Sequence, residues 1–73
     1  MTLLDAVERR TYTVRDVQTN DTEVDAFLFT LGCYANAPVT VLKRRRSGLI
    51  VSIKDGRYSI DAALAACIHL AEP

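Results

Sequence analysis

The chain has 73 residues, 49% of them hydrophobic and 25% charged, with nine basic side chains against nine acidic ones. A chain of this length reads as one domain over 1–73, buries only about 60% of the surface its unfolded form exposes, and has little room for a deep, walled active site. The zero net charge argues against a generally acidic or nucleic-acid-like protein, but it is unevenly placed: residues 1–40 carry three basic and six acidic groups, and residues 41–73 carry six basic and three acidic.

Leu3 and Leu4 precede a polar turn over 5–10 and should pin the start of the chain to a core. From Thr11 to Val17, Tyr12 and Val14 alternate with Thr11, Thr13 and Arg15, the spacing of a strand with one wet face. Val17 breaks the alternation, which predicts a bulge or strand end near Asp16. Thr19-Asn20-Asp21-Thr22 reads as a helix start, because Asn20 or Asp21 can accept from free first-turn amides, and Asn20 with Glu23 has capping-box spacing. Val24, Phe27, Leu28 and Leu31 then fall at i, i+3, i+4 and i+7, one apolar helix face expected to meet the strands, with Phe29 off that face. Gly32 follows the last periodic residue, where a helix ends most easily on a residue of positive φ.

Asn36 is a second candidate for left-handed backbone. Pro38 suits the first residue of a strand, and Val39 to Lys43 continues it. Lys43-Arg44-Arg45-Arg46 with Ser47-Gly48 reads as a basic hairpin turn before the next strand, Leu49 to Lys54. Leu49, Val51 and Ile53 share one face of that strand and Ile50 takes the other, so neither side is fully solvated, as in a small barrel. Asp55-Gly56 predicts a type I′ hairpin turn. Arg57 to Ile60 is a short strand, Asp61 caps a helical turn over 62–66, and Cys67 to Leu70 closes as a last strand with Ile68 and Leu70 inward. The order β, α, β, β, β, helical turn, β predicts a mainly β fold, a small SH3-like partly open barrel, without the alternation of a parallel sheet.

Leu31-Gly32, a four-residue spacer ending at Asn36, and Val39-Thr40-Val41-Leu42 resemble the LGL-x-x-G-x-x-V-x-V centre of the FeoA (ferrous iron transport protein A) family. Gly56-Arg57-Tyr58-Ser59-Ile60, then Ala62-Ala63, then Ile68-x-Leu70 is similar to that family's close. The chain departs from the pattern at Asn36, where Gly is common, at Asp61, where a basic residue is common, and at Glu8-Arg9-Arg10, where the family often has Gly. The resemblance implies a cytoplasmic, SH3-like accessory protein that binds the cytosolic domain of the GTP-hydrolysing ferrous iron transporter (FeoB type).

Cys33, Cys67 and His69 are possible metal ligands by type, but they form an incomplete set without the close pairs of structural sites, so neither a metal nor a cofactor is expected. A disulfide between Cys33 and Cys67 stays open from spacing alone. His69 has no accompanying nucleophile and acid, and no Gly-rich phosphate loop occurs, so the chain is read as no enzyme. No basic-then-apolar leader is visible and no apolar run approaches the ~20 residues of a membrane span, so a cytoplasmic protein without membrane insertion is expected. Phe29, Tyr34, Asn36 and the basic run Lys43, Arg44, Arg45 and Arg46 are the expected partner-binding residues, grouped around one end of the helix–loop–strand unit. The protein is expected to be a monomer or weak homo-oligomer. The alternative is a nucleic-acid-binding barrel using Lys43 to Arg46, less favoured because the tyrosines lack the spacing of a base-stacking surface.

Overall fold

The computed structural model describes residues 1–72. Thr2 caps a 3-10 turn, Leu3–Asp5, through a capping box in which its hydroxyl and the Asp5 carboxylate each accept from the other's end of the turn. Then follow β1 (Thr11–Val17), α1 (Thr22–Leu31), β2 (Pro38–Arg45), β3 (Gly48–Ile53), β4 (Gly56–Asp61), α2 (Ala62–Ala65) and β5 (Ile68–Leu70). The strands form one antiparallel sheet in the order β4-β3-β2-β1-β5, with α2 joining its two outer strands. This is the mainly β, SH3-like architecture that the pattern of elements predicts.

Period-2 alternation puts Tyr12 and Val14 of β1, Val39 and Val41 of β2, Leu49, Val51 and Ile53 of β3, and Ile68 and Leu70 of β5 into one core with Leu3 and Leu28. The expected irregularity in β1 is present: its register with β5 shifts between Val14 and Asp16. A second bulge was not legible. Val41 pairs with Val51 but Lys43 with Ile50, so Leu42 is an extra residue in β2.

The turns depart from expectation in detail. Ile53 pairs directly with Gly56, so the two-residue β3–β4 loop is Lys54-Asp55, not Asp55-Gly56. Positive φ falls on Lys54 (54°) and not on Asp55, so the turn has the pattern of type II′, not I′. Gly56 instead leaves room for the Tyr58 ring, which a Cβ there would push aside. Arg45 pairs with Gly48, so β2 runs into the basic segment and the loop is only Arg46-Ser47. At the start of α1, Asp21 alone is the cap, accepting from Glu23 and Val24 amides; Asn20 stands outside at φ 63 and makes no capping box with Glu23. Asp61 caps α2 as expected, accepting from the Leu64 amide at 2.7 Å.

Candidate functional site

Helix α1 meets the barrel along a narrow line. Leu28 is its one fully buried residue, Val24, Asp25 and Leu31 are half-buried, and the other positions are exposed. At about 100° per residue, Phe27 and Phe29 lie to either side of Leu28. Phe27 is therefore 58% exposed, which corrects the expectation that it shares the face meeting the strands; Phe29 is 65% exposed, as its place off that face suggests. The two rings point to opposite flanks and do not form one patch.

The end of α1 is fixed by a Schellman motif. Gly32 adopts φ 99, its amide bonds the Phe29 carbonyl at 3.0 Å, and the Cys33 amide bonds the Leu28 carbonyl at 2.9 Å. The motif turns Cys33 inward beside Leu28, and burial pushes its thiol up to about 11 from an ordinary 9.0. The next four residues form a tight turn closed by the Ala37 amide on the Tyr34 carbonyl (3.0 Å), with Asn36 at φ 73 in the third position, where a type II turn wants Gly or Asn. Backbone bonds from Asn36 to Val14 and from Val14 to Ala37, both 2.8 Å, hold this turn against β1.

These two turns carry Tyr34 back to α1. Its ring lies 5.0 Å from that of Phe29, tilted by 40°, and the Lys54 ammonium stands 5.3 Å from the Tyr34 centroid. Lys54 reaches that ring because its stem crosses Gly32, where a Cβ would collide with its Cγ. Gly32 thus serves both the helix end and the passage of Lys54. The result is an outward-facing ring pair with a cation at its edge and Asn36 exposed on the adjoining turn. Sequence reasoning missed Lys54, since its place depends on the pairing of β3 with β4.

The basic run is elsewhere. Lys54 follows Ile53, which pairs with Val39 near the start of β2, whereas Arg44 and Arg45 pair with Leu49 and Gly48 at the other end of that strand. Along an eight-residue strand the two ends are roughly 23 Å apart. The structure therefore groups Phe29, Tyr34 and Asn36 but separates them from Lys43, Arg44, Arg45 and Arg46. The four basic residues are also not equivalent. The bulge at Leu42 shifts the parity of β2, so Arg44 comes to pair with the buried Leu49 while itself staying exposed. There its guanidinium donates to the Ala6 carbonyl, and its amide donates to Glu8 Oε1 at 3.0 Å.

Both cysteines are free. The last strand begins at Ile68 and not, as expected, at Cys67, whose Sγ donates to the Ala63 carbonyl at 3.4 Å. Among the described residues, no three His, Cys, Asp or Glu side chains gather in a set able to hold a metal ion. Among the same residues, no helix is long and apolar enough to cross a membrane.

No curated protein matches the chain. Among the solved structures similar to it are two FeoA proteins. One is FeoA from Stenotrophomonas maltophilia, described as a prokaryotic SH3 domain protein in complex with zinc: 18% identity, TM-score 0.85, covering 97% of this chain and 89% of that one. The other is an iron uptake regulatory protein, also FeoA: 20% identity, TM-score 0.81, covering 96% of each chain. The FeoA domain model matches residues 1–72, nearly the whole sequence. The chain belongs to the FeoA family, which is related to ferrous iron transport.

Proposed function

We propose that this protein is a cytoplasmic accessory protein of ferrous iron uptake, a single FeoA-type domain without catalytic activity that docks onto the cytosolic domain of the GTP-hydrolysing transporter. The Phe29–Tyr34 pair carries this reading. An aromatic pair held outward, Phe29 on α1 and Tyr34 on the two turns that follow it, has lost much of its freedom before any partner arrives, so its burial in a contact costs little further ordering. Aromatic side chains at the centre of a contact, with a charge at the edge, are the arrangement that concentrates binding energy. Lys54 supplies that charge and Asn36 an exposed polar neighbour. The basic end of β2 is too far along the strand to join the same small contact.

The test is a titration of the transporter's cytosolic domain with the whole chain. Tyr34→Ala and Phe29→Ala should each weaken binding by about tenfold, the range of a central aromatic contact, with little change in salt response. Lys54→Ala should weaken it less and reduce its salt dependence. Absence of binding by the unaltered chain would overturn the reading. Binding that ignores both aromatic substitutions would move the contact to another surface.

A further inference from the structure

At the far end of β2 the segment 6–10 runs alongside the strand. The Arg9 amide bonds the Val41 carbonyl at 2.7 Å, Arg44 closes on Ala6 and Glu8, and the Arg10 amide bonds the Val7 carbonyl at 3.3 Å. This end carries Arg9, Arg10, Lys43, Arg44, Arg45 and Arg46. Three acids lie among them and accept from backbone amides, Asp5 from Thr2 at 2.9 Å, Glu8 from Arg44 and Asp61 from Leu64, so the cations exceed the acids by three. Among the described residues the ion pairs are Met1–Glu72 and Arg15–Asp16, so none of the six cations is in one. Beside them, Val7 is 54% exposed and Leu4 is 40% exposed.

One backbone feature sets this collection of cations apart from ordinary surface charge. Arg9 occupies the third position of the Val7–Arg10 turn at φ 71, a left-handed conformation that penalises a Cβ and that glycine adopts freely. The fold holds an arginine where its own backbone favours glycine, and strain of this kind points to a use for the side chain.

We infer that this end of the barrel, Arg9, Arg10, Lys43, Arg45 and Arg46 with Val7 and Leu4, is a docking surface for an anionic phospholipid bilayer. Clustered cations at a membrane surface are drawn to acidic headgroups. Exposed aliphatic side chains among them gain by entering the boundary between headgroups and acyl chains, which a nucleic acid does not offer. A single-stranded nucleic acid would instead want aromatic faces for its bases. The aromatic side chain in this region, Tyr12, is buried and accepts from the Val7 amide through its hydroxyl at 3.0 Å. The chain lies on such a bilayer and does not cross it. This surface is separate from the Phe29–Tyr34 pair, and it stands or falls independently of transporter docking.

Co-sedimentation of the whole chain with phosphatidylglycerol–phosphatidylcholine vesicles, against phosphatidylcholine vesicles alone, tests the inference. Binding is expected to the anionic vesicles only and to fall with added salt. Arg9→Gly should raise the melting temperature, because it relieves the turn, yet weaken vesicle binding about fivefold. Replacing Lys43, Arg45 and Arg46 together by Gln should weaken it on the order of 100-fold. Val7→Ser, at an exposed site that the fold does not need, should weaken it severalfold with the salt dependence unchanged. No binding to anionic vesicles at low salt would overturn the inference. Binding unmoved by Arg9→Gly and the triple replacement would also overturn it. If Val7→Ser binds as well as the parent and polyuridylic acid displaces the vesicles fully, the surface is a general polyanion contact and the bilayer assignment fails.

Discussion

The two ends of β2 are held by different means, and the difference governs what each presents. Near Pro38, α1 reaches the core through one fully buried side chain, Leu28, and a Schellman turn. The side chains left over there are rings. Near Arg45, the chain is fixed through backbone carbonyls, amides and three capping carboxylates. The side chains left over there are cations. The Arg45 end carries six basic side chains against three acidic ones and so shows positive charge. The Pro38 end, where backbone bonds fix the turns but α1 fully buries only Leu28, leaves apolar surface without cover.

Leu28→Ala should have the largest effect, since it removes the only full anchor of α1. We expect about 3 kcal/mol of lost stability and a melting temperature lower by roughly 15 °C. The loss should be local first: in hydrogen exchange, α1 amides should open well before those of β2 and β3. Uniform acceleration of all amides would break the comparison, because the helix would then be as integral as the sheet.

Gly48→Ala probes the other end. A Cβ there would run into the backbone of Ile60 and Asp61, which cannot move aside without opening the β3–β4 ladder. About 2 to 3 kcal/mol should be lost, measured by denaturant unfolding. A neutral result would mean that β4 yields easily, and that this end is not the tighter one.

Cys33 offers a pH probe of the α1 end. Its thiol titrates higher in the folded chain, at about 11, than at its ordinary 9.0. Between those values the unfolded chain has released the proton and the folded chain still holds it, so stability is full below about pH 9 and falls as pH rises toward 11. The loss should be on the order of 2 kcal/mol, and Cys33→Ala should flatten it in unfolding titrations. An equal decline in Cys33→Ala would place the cause elsewhere.

Gly32→Ala should cost about 1 kcal/mol through its positive φ, and several degrees in melting temperature. The collision with Lys54 adds little, since a flexible stem can swing away, but that swing should remove the cation from Tyr34. Smallest of all, Phe29→Ala should change stability by no more than about 0.5 kcal/mol, as for an exposed position, even while it weakens transporter binding. A large loss would make the ring a structural support and not a presented surface.

Much of the fold was legible because its signals are local. Tyr12 and Val14, and Ile68 and Leu70, alternate in sequence as they do in space, since a strand's side chains take opposite faces wherever the strand lies. Gly32, Asn36 and Asp61 declared the helix end, the turn and the cap, since positive φ and free amides make demands on the residue itself. Phe29 was legible as exposed because it stands off the apolar face of the helix, and Tyr34 as a partner-binding residue. Their contact with each other was not.

The amino-acid sequence by itself determined the order of elements, the inward positions of the strands and the two left-handed turns that flank Tyr34. Each follows from periodicity or from the backbone chemistry of one residue. Only the tertiary structure decided that Phe27 is exposed, that Lys54 joins the ring pair, that Arg44 closes on Ala6 and Glu8, and that the basic run lies a strand's length from the ring pair. Those outcomes depend on the rotation of α1 about its single anchor, on the register of β3 with β4, and on one extra residue at Leu42. A one-residue change of register sends a side chain to the opposite face of a sheet, and that choice is made by pairing between strands, not within any one of them.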